Sequence, residues 1–417
     1  MPAMETSSQS LCQPGDGWQF WIDRGGTFTD VIGLSPTGAL HVRKVPSVSA
    51  EGAAGDPGLG AVRAILEAAA AAGAAPGAAV AAVKVGTTVA TNALLTRTGE
   101  SVVLVTTAGF GDGLRIGYQN RPDIFARHIV LPKPLYVTVI EAHERIDSAG
   151  TVLTPLDIGQ LRSELTRARS AGRRAVAIVF LHGWRYPLHE RAAAVCAREL
   201  GFEEVSVSHE LSPLVRYVTR GDTTALNAYL ALPLRAYLGK LQTELRTLDP
   251  QARLTLMQSN GGLAAAESFH AMSSVLSGPA GGLIGMRWVG ECLNLPRLIG
   301  FDMGGTSTDV SLIDGELPQR FEHLIAGVRL AQPMLDVHSI AAGGGSILNY
   351  RDGRFAVGPA SAGADPGPAC YGRDGPLTLT DVQVLLGRLR PDTLPAVFGP
   401  DGRSRIDAQA VSDKFAA

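Results

Sequence analysis

Apolar and polar positions along this chain follow two periods, and the period switches where glycine and proline interrupt it. From Trp18 to Leu34 two extended apolar stubs flank a Gly-Gly turn, which predicts strand, tight turn, strand. Residues 58–83 are alanine-rich with helical apolar spacing, broken near Gly73 and Pro76. "AAVKVGTT" and "SVVLVTT" then read as strands around the helical "VATNALLTRTG". "TPLDIGQLRSELTRARSAG" predicts a helix with Asp157 in its first turn, followed by the apolar strand "AVAIVFL". "HERAAAVCARELG" predicts a helix stopped by Gly201, and "EVSVSHEL" a strand. The stretch from Asp222 to Leu248 predicts a long helix capped by Asp222 or Thr223 and kinked or split at Pro233. "RLTLMQSNGG" reads as a strand ending in an Asn-Gly turn. Strands alternating with helices predict an α/β protein with mostly parallel, doubly covered sheets.

One string occurs twice. Aligning Ile22–Val31 with Phe301–Val310 matches seven of ten positions: Asp, Gly, Gly, Thr, Thr, Asp and Val. Antiparallel hairpins are expected at both copies. Paired glycines can adopt positive φ and bring bare backbone N–H groups up to a ligand. Such N–H groups in a concave turn bind phosphate oxygens. Gly25, Gly26 and Thr27 in the first copy, and Gly304, Gly305 and Thr306 in the second, are therefore the candidate phosphate-binding residues. Asp23 and Asp302 end the first strand of each copy, where a carboxylate can hold a hydrated Mg²⁺ beside phosphates. Asp309, seven residues after Asp302, either holds a cation or pairs across its hairpin. One such turn reads as ordinary turn chemistry. Two acidic, threonine-bearing copies in one chain point to a phosphate site.

Composition narrows the classes. With 417 residues, 45% apolar and 18% charged, two or three cores are expected. A net charge of −2 gives no electrostatic case for nucleic acid or an anionic membrane. Cys12, Cys196, Cys292 and Cys370 are scattered without metal or disulfide spacing, which suits a reducing compartment. The first seventeen residues are polar, without a secretory pattern, and read as a mobile tail; a cytoplasmic location is expected. Further candidates lie outside the repeat. Asp336 and His338 share one face if extended, so they could bind a metal, act as acid and base, or hydrogen-bond each other beneath the glycines that follow. Gly343–Gly345 either admit substrate or make a turn. Arg115 and Arg121, with Asp123, sit in "LRIGYQNRPD", where a guanidinium suits a substrate carboxylate or an interdomain pair.

The duplicated hairpin resembles the two phosphate loops of the actin, sugar-kinase and heat-shock-chaperone ATPase superfamily. There two ribonuclease-H-like α/β halves face a central cleft and each lends one loop to the nucleotide. "SGPAGGLIGMRWVG", just before the second copy, is similar to that superfamily's small-residue connecting helix, where small side chains let two helices cross closely. "IDRGGTFTDV", "GTTVATNALL", "SHELSPLVRYVTRGDTTALNAYL", "SNGGL", "FDMGGTSTDV", "MLDVHSIAAGGGSI" and "GADPGPACYGRDGPLTLTD" together resemble the hydantoinase A / 5-oxoprolinase family, which includes acetone and acetophenone carboxylase subunits. Arg24, "LRIGYQNRP" and "LHGWRYPLHE" lean towards its oxoprolinase branch.

The resemblance implies a first half over residues 18–290 and the start of a second over 291–417. It implies ATP-dependent opening of a cyclic amide: 5-oxo-L-proline, water and ATP give L-glutamate, ADP and phosphate, with Mg²⁺ and often K⁺. An unstrained lactam is a poor electrophile, and phosphorylating its oxygen makes a leaving group. Asp23, Asp302, Asp336 and His338 become the candidate catalytic residues; Arg115, Arg121, Gly343 and Gly344 the substrate contacts; Asp23, Asp302 and Asp309 the metal ligands. A hydantoinase-B-like half or subunit is the implied partner, and the full-length protein is expected to be a homo-oligomer. The B-like half and the family's later glycine motif have no counterpart here, so the chain is expected to be a fragment or one subunit with its end missing. An N-methylhydantoinase, a ketone-carboxylase subunit and a non-catalytic nucleotide-binding module remain as alternatives.

Overall fold

The computed structural model describes residues 17–47, 55–73, 78–119, 124–351, 353–400 and 402–417. The expected tail up to Asp16, Arg121 and Asp123 lie outside the described residues. The architecture is mixed α/β, with parallel and antiparallel sheets.

The first repeat opens a six-stranded sheet. Trp18–Arg24 pairs antiparallel with Phe28–Leu34, which pairs antiparallel with Leu40–Pro46. On its other side Trp18–Arg24 pairs in parallel with Val80–Thr87, followed by Arg253–Met257 in parallel and Leu263–Ala265 antiparallel. Trp18, Phe20 and Ile22 share one face and are buried, in one core with Leu59, Val62 and Ile65 of the helix Pro57–Ala71. Asp56 starts that helix by accepting from the N–H groups of Gly58 and Leu59. Gly33 has to be glycine for this face to close, because a Cβ there would sit 2.7 Å from the Phe20 ring.

A second sheet is all-parallel, in the order Glu204–Val207, Ala175–Val179, Val102–Thr107, Tyr136–Ala142. Every residue of Val102–Thr107 and Ala175–Val179 is buried, as continuous apolar runs covered on both faces should be. Helices Ile158–Ser170 and Leu188–Glu199 cover one face; the 32-residue helix Tyr217–Leu248 covers the other. This long helix corrects two expectations. It begins at Tyr217 rather than at Asp222, which lies inside it and pairs with Arg329 at 3.0 Å. It also runs through Pro233. The carbonyl that Pro233 leaves without its helical donor, that of Tyr229, accepts the N–H of Glu100 at 2.9 Å, so no backbone group is orphaned.

The second repeat, Arg297–Met303 with Thr308–Asp314, is an antiparallel hairpin with Asp302 opposite Asp309 and His338–Ile340 as a third strand. The helix Ser277–Leu293 precedes it and packs on it through Ala280 and Leu283. Among the described residues no helix crosses its small-residue stripe: a Cβ on Gly282 or Gly285 would meet nothing within 4 Å. The hairpins Gln319–Ile325/Val328–Leu335 and Ser346–Arg351/Arg354–Ser361 complete this region, with the helices Leu379–Leu385 and Ala408–Ala416.

One buried polar knot ties the long helix to the parallel sheet. Arg220 donates to the carbonyls of Phe180 and Leu181 and to the hydroxyl of Ser208. Glu190, also fully buried, lies 3.7 Å from it and accepts from Phe180 N–H, Ser208 Oγ and His209 N–H. Arg220→Ala would remove the guanidinium beside Glu190 and leave the carbonyls of Phe180 and Leu181 without its donors, and a loss of roughly 3–5 kcal/mol is expected. Urea midpoints measure it, and adding Glu190→Gln to Arg220→Ala should recover part of that loss.

Candidate functional site

Both repeat turns are closed by the same bond. The Gly25 N–H donates to Phe28 O at 3.0 Å, and the Gly304 N–H to Ser307 O at 2.9 Å. None of the four turn glycines has positive φ, which corrects the sequence expectation. What glycine provides is clearance. A Cβ on Gly25 would lie 2.9 Å from Phe28 O, and one on Gly305 would lie 3.2 Å from Thr27 Oγ1. The second figure also shows that the two turns, far apart in sequence, touch. The next two N–H groups of each turn, Gly26 and Thr27 in one and Gly305 and Thr306 in the other, find no acceptor among the described residues. Two pairs of bare N–H donors on touching turns form a site for an anion with several oxygens.

Different segments hold each turn. Gly344 and Gly345 donate their N–H groups to the carbonyls of Gly304 and Gly305 at 2.9 and 2.7 Å. A Cβ on Gly343 would come within 2.7 Å of Gly304 O, so the triple glycine lets two backbones lie against each other. These N–H groups are thus committed to the second turn. The first turn is anchored by Phe28, whose ring meets Tyr371 and Phe398 edge-on at 6.4 and 5.6 Å. Arg24 points away from the turn, to Asp56 at 2.7 Å and over the Tyr237 ring.

The acids are arranged alike and neutralised differently. Asp23 stands opposite Asp30, and Asp302 opposite Asp309. In the first copy Lys44, across from Asp30, binds it at 2.6 and 2.7 Å. In the second copy Ser339 occupies that cross-strand place, and Oδ1 of Asp309 is buried with no partner. Asp23 retains exposed surface, yet the protein around it displaces enough water to push its carboxyl above the ordinary range, with the charges of Asp30 and Asp302 adding and Lys44 opposing. Burial likewise raises Asp309, with Asp302 adding to it and a bond from Ser339 opposing. Carboxylates that repel one another beside an orphaned oxygen fit a divalent cation. No group of three metal-binding side chains converges among the described residues. A nucleotide-bound Mg²⁺ needs only one or two carboxylates with phosphates and water, so the residues present fit that ion.

Other expected residues sit apart. Asp336 pairs with Arg320 at 2.9 Å rather than with His338, whose exposed ring has no hydrogen-bond partner among the described residues. Arg115 lines a groove of about 470 Å³ with Asp112, Lys133 and Tyr136, and no repeat residue lines it. The Tyr136 hydroxyl is buried without a partner among the described residues. Asp30 is the residue that sequence reasoning passed over, although the repeat alignment sets it against Asp309. The Phe28 anchor carries no sequence signal, since nothing local ties it to Tyr371 and Phe398.

The sequence matches the model of the Hydantoinase/oxoprolinase N-terminal region over residues 19–201 and that of Hydantoinase/oxoprolinase over residues 220–417. A 5-oxoprolinase of Saccharomyces cerevisiae is 40% identical across 94% of this chain, which covers 33% of that protein. The crystal structure of an ATP-dependent caprolactamase from Pseudomonas jessenii superposes with a TM-score of 0.74 at 33% identity, over 96% of this chain and 58% of that one. A nucleotide-free structure of acetone carboxylase, described for ATP-dependent acetone carboxylation, gives 0.77 at 26% identity, over 95% and 57%. The chain therefore spans about a third of the length of the curated 5-oxoprolinases it matches. Matched from residue 19 to 417 apart from the stretch between the two models, and with both glycine turns inside the match, the chain belongs to the hydantoinase/oxoprolinase family.

Proposed function

We propose that this chain carries the ATP-dependent activating part of a cyclic-amide hydrolase, with 5-oxo-L-proline as substrate and L-glutamate as product. The observation that carries the reading is the contact between two like turns, each offering two unbonded N–H groups beside an aspartate. The strand order of the first sheet supports an actin-like frame: third, second and first strands antiparallel, then two parallel strands. On this reading residues 18–290 form one half and 291–417 begin the other, with the cleft between the turns.

In that cleft the N–H groups of Gly26, Thr27, Gly305 and Thr306 bind and orient phosphate oxygens, helped by the Thr27 and Thr306 hydroxyls. Asp23 and Asp302 would hold a hydrated Mg²⁺, with phosphate oxygens and water as its remaining ligands. ATP supplies the phosphoryl group that turns the amide oxygen into a leaving group. In-line transfer demands positioning and charge neutralisation more than covalent help, which suits a site of backbone donors and carboxylates. Arg115, in a groove that no repeat residue lines, is not assigned to the substrate carboxylate. His338, whose ring has no hydrogen-bond partner among the described residues, is the candidate for proton transfer; Asp336 is held by Arg320. Gly343 and Gly344 keep the second turn in place. A hydantoinase-B-like polypeptide completes hydrolysis.

Two outcomes test this. In the chain combined with a B-like half, Asp23→Asn and Asp302→Asn should each lower 5-oxoproline-dependent ADP release by about 10–100-fold, the range seen when metal-site support is removed. An unchanged rate in both variants overturns the cation role. Stimulation by a ketone with bicarbonate, and not by 5-oxoproline, would instead assign a carboxylase. The second outcome concerns pH. In the cation-free chain the Asp23 carboxyl is raised, by burial first and then by Asp30 and Asp302, so its titration seen by NMR should lie above that of an ordinary aspartate. Asp30→Asn removes one like charge and frees Lys44, so that titration should move to lower pH.

A further inference from the structure

Asn92 stands beside the first turn. The helix Val89–Leu95 follows the strand Val80–Thr87, which runs parallel to the strand that carries Asp23. Residues 87–91 are bonded on two sides. Thr88 gives both its N–H and its hydroxyl to the carbonyl of Arg24, at 3.2 and 3.1 Å. Thr91 Oγ1 accepts the N–H of Leu276 at 3.0 Å, and the carbonyl of Thr87 accepts the Ser277 hydroxyl at 3.2 Å. Asn92, next in the chain, is exposed. Its carboxamide makes one bond among the described residues, a long one of 3.4 Å from Nδ2 to Thr88 Oγ1, and its Oδ1 accepts none. The stem of this side chain is thus held by a fixed segment while its polar head is left open.

The head lies against the turn. Beyond its chain neighbours, a Cβ on Gly26 would meet a single heavy atom within 4 Å, Asn92 Nδ2 at 3.9 Å. Gly26 carries one of the N–H groups that the first turn leaves open. Asp23 is also flanked by glycine: Cβ atoms on Gly86 and Gly278 would lie 3.4 and 3.8 Å from its Oδ1. Three glycines thus keep side chains away from Asp23 and Asn92. Asn92 offers there a donor and an acceptor on one planar group.

We propose that Asn92 selects for a cyclic amide, its Nδ2 donating to the ring carbonyl oxygen and its Oδ1 accepting from the ring N–H. A small ring forces its amide cis, so the C=O and N–H lie along one edge and match a carboxamide edge to edge. An open-chain amide is trans, with the two groups on opposite edges, and meets only one half of Asn92. A ketone supplies the carbonyl but no N–H. Phosphate oxygens are acceptors, and would leave Oδ1 facing negative charge. Two hydrogen bonds on one planar group set orientation as well as affinity, as a carboxamide does against a base edge. The ring oxygen keeps a second lone pair free for the phosphate side. The inference rests on the proposed function and names the feature of the substrate that the site reads.

Kinetics and binding test it, in the chain combined with a B-like half. For 5-oxoproline-dependent ADP release, Asn92→Ala should raise the KM for 5-oxoproline by about 10–100-fold and leave the KM for ATP within about twofold. Asn92→Asp, which keeps the shape but loses the donor, should raise it as well. Both variants should melt within about 2 °C of the unsubstituted protein, as exposed positions do. By calorimetry with ADP present, the lactone isostere of 5-oxoproline, with a ring oxygen in place of the N–H, should bind the unsubstituted protein at least about tenfold more weakly than the lactam. Asn92→Ala should bring the two within about twofold. An unchanged KM for 5-oxoproline, a preference for lactam over lactone that survives in Asn92→Ala, or a rise in the ATP KM alone would each overturn the inference and leave the proposed function standing. Absence of 5-oxoproline-dependent ADP release from the unsubstituted protein would overturn that function and this inference with it.

Discussion

The structure rests on backbone meeting backbone where side chains would prevent it. Two turns far apart in the sequence meet at Thr27 and Gly305, and the second is fixed by hydrogen bonds from Gly344 and Gly345 to its own carbonyls. Those bonds use the carbonyl side of Gly304 and Gly305 and leave the N–H side of Gly305 and Thr306 free. The turn is thus held rigid from behind while its donors stay open, and preorganised donors of this kind need no rearrangement to meet an anion. Phe28 does the same for the first turn from a different direction, through the rings of Tyr371 and Phe398. One segment, residues 341–417, therefore braces both turns.

Duplication supplies the geometry, and divergence at single positions assigns the charges. Lys44 closes off Asp30, whereas Ser339 in the equivalent place leaves one oxygen of Asp309 without a partner. Negative charge at the junction is consequently biased towards the second copy, and Asp23 sits between the two sets. A buried carboxylate oxygen with no donor is destabilising unless something arrives to meet it.

The repeat itself was legible because glycine, threonine and aspartate at fixed spacing leave few other readings. The strand, turn and strand of Trp18–Leu34 followed from its apolar stubs and paired glycines, and the parallel sheet followed from strands alternating with helices. Other features depended on long-range partners. Nothing near Pro233 indicates that Glu100 will satisfy the Tyr229 carbonyl, so local propensity argues for a kink that tertiary bonding makes unnecessary. Asp222 looks like a cap in sequence, but its partner Arg329 is more than a hundred residues away. The turn glycines were identified correctly for the wrong reason: they avoid clashes rather than adopt left-handed backbone.

The same comparison of copies explains why a cleft so well braced from below is open elsewhere. In the first copy the strand that carries Asp23 is held by neighbours on both edges and by the Pro57–Ala71 helix on its apolar face. In the second, the strand that carries Asp302 is held on one edge and one face only. An edge strand with a bare apolar face has more freedom to shift than one held on every side.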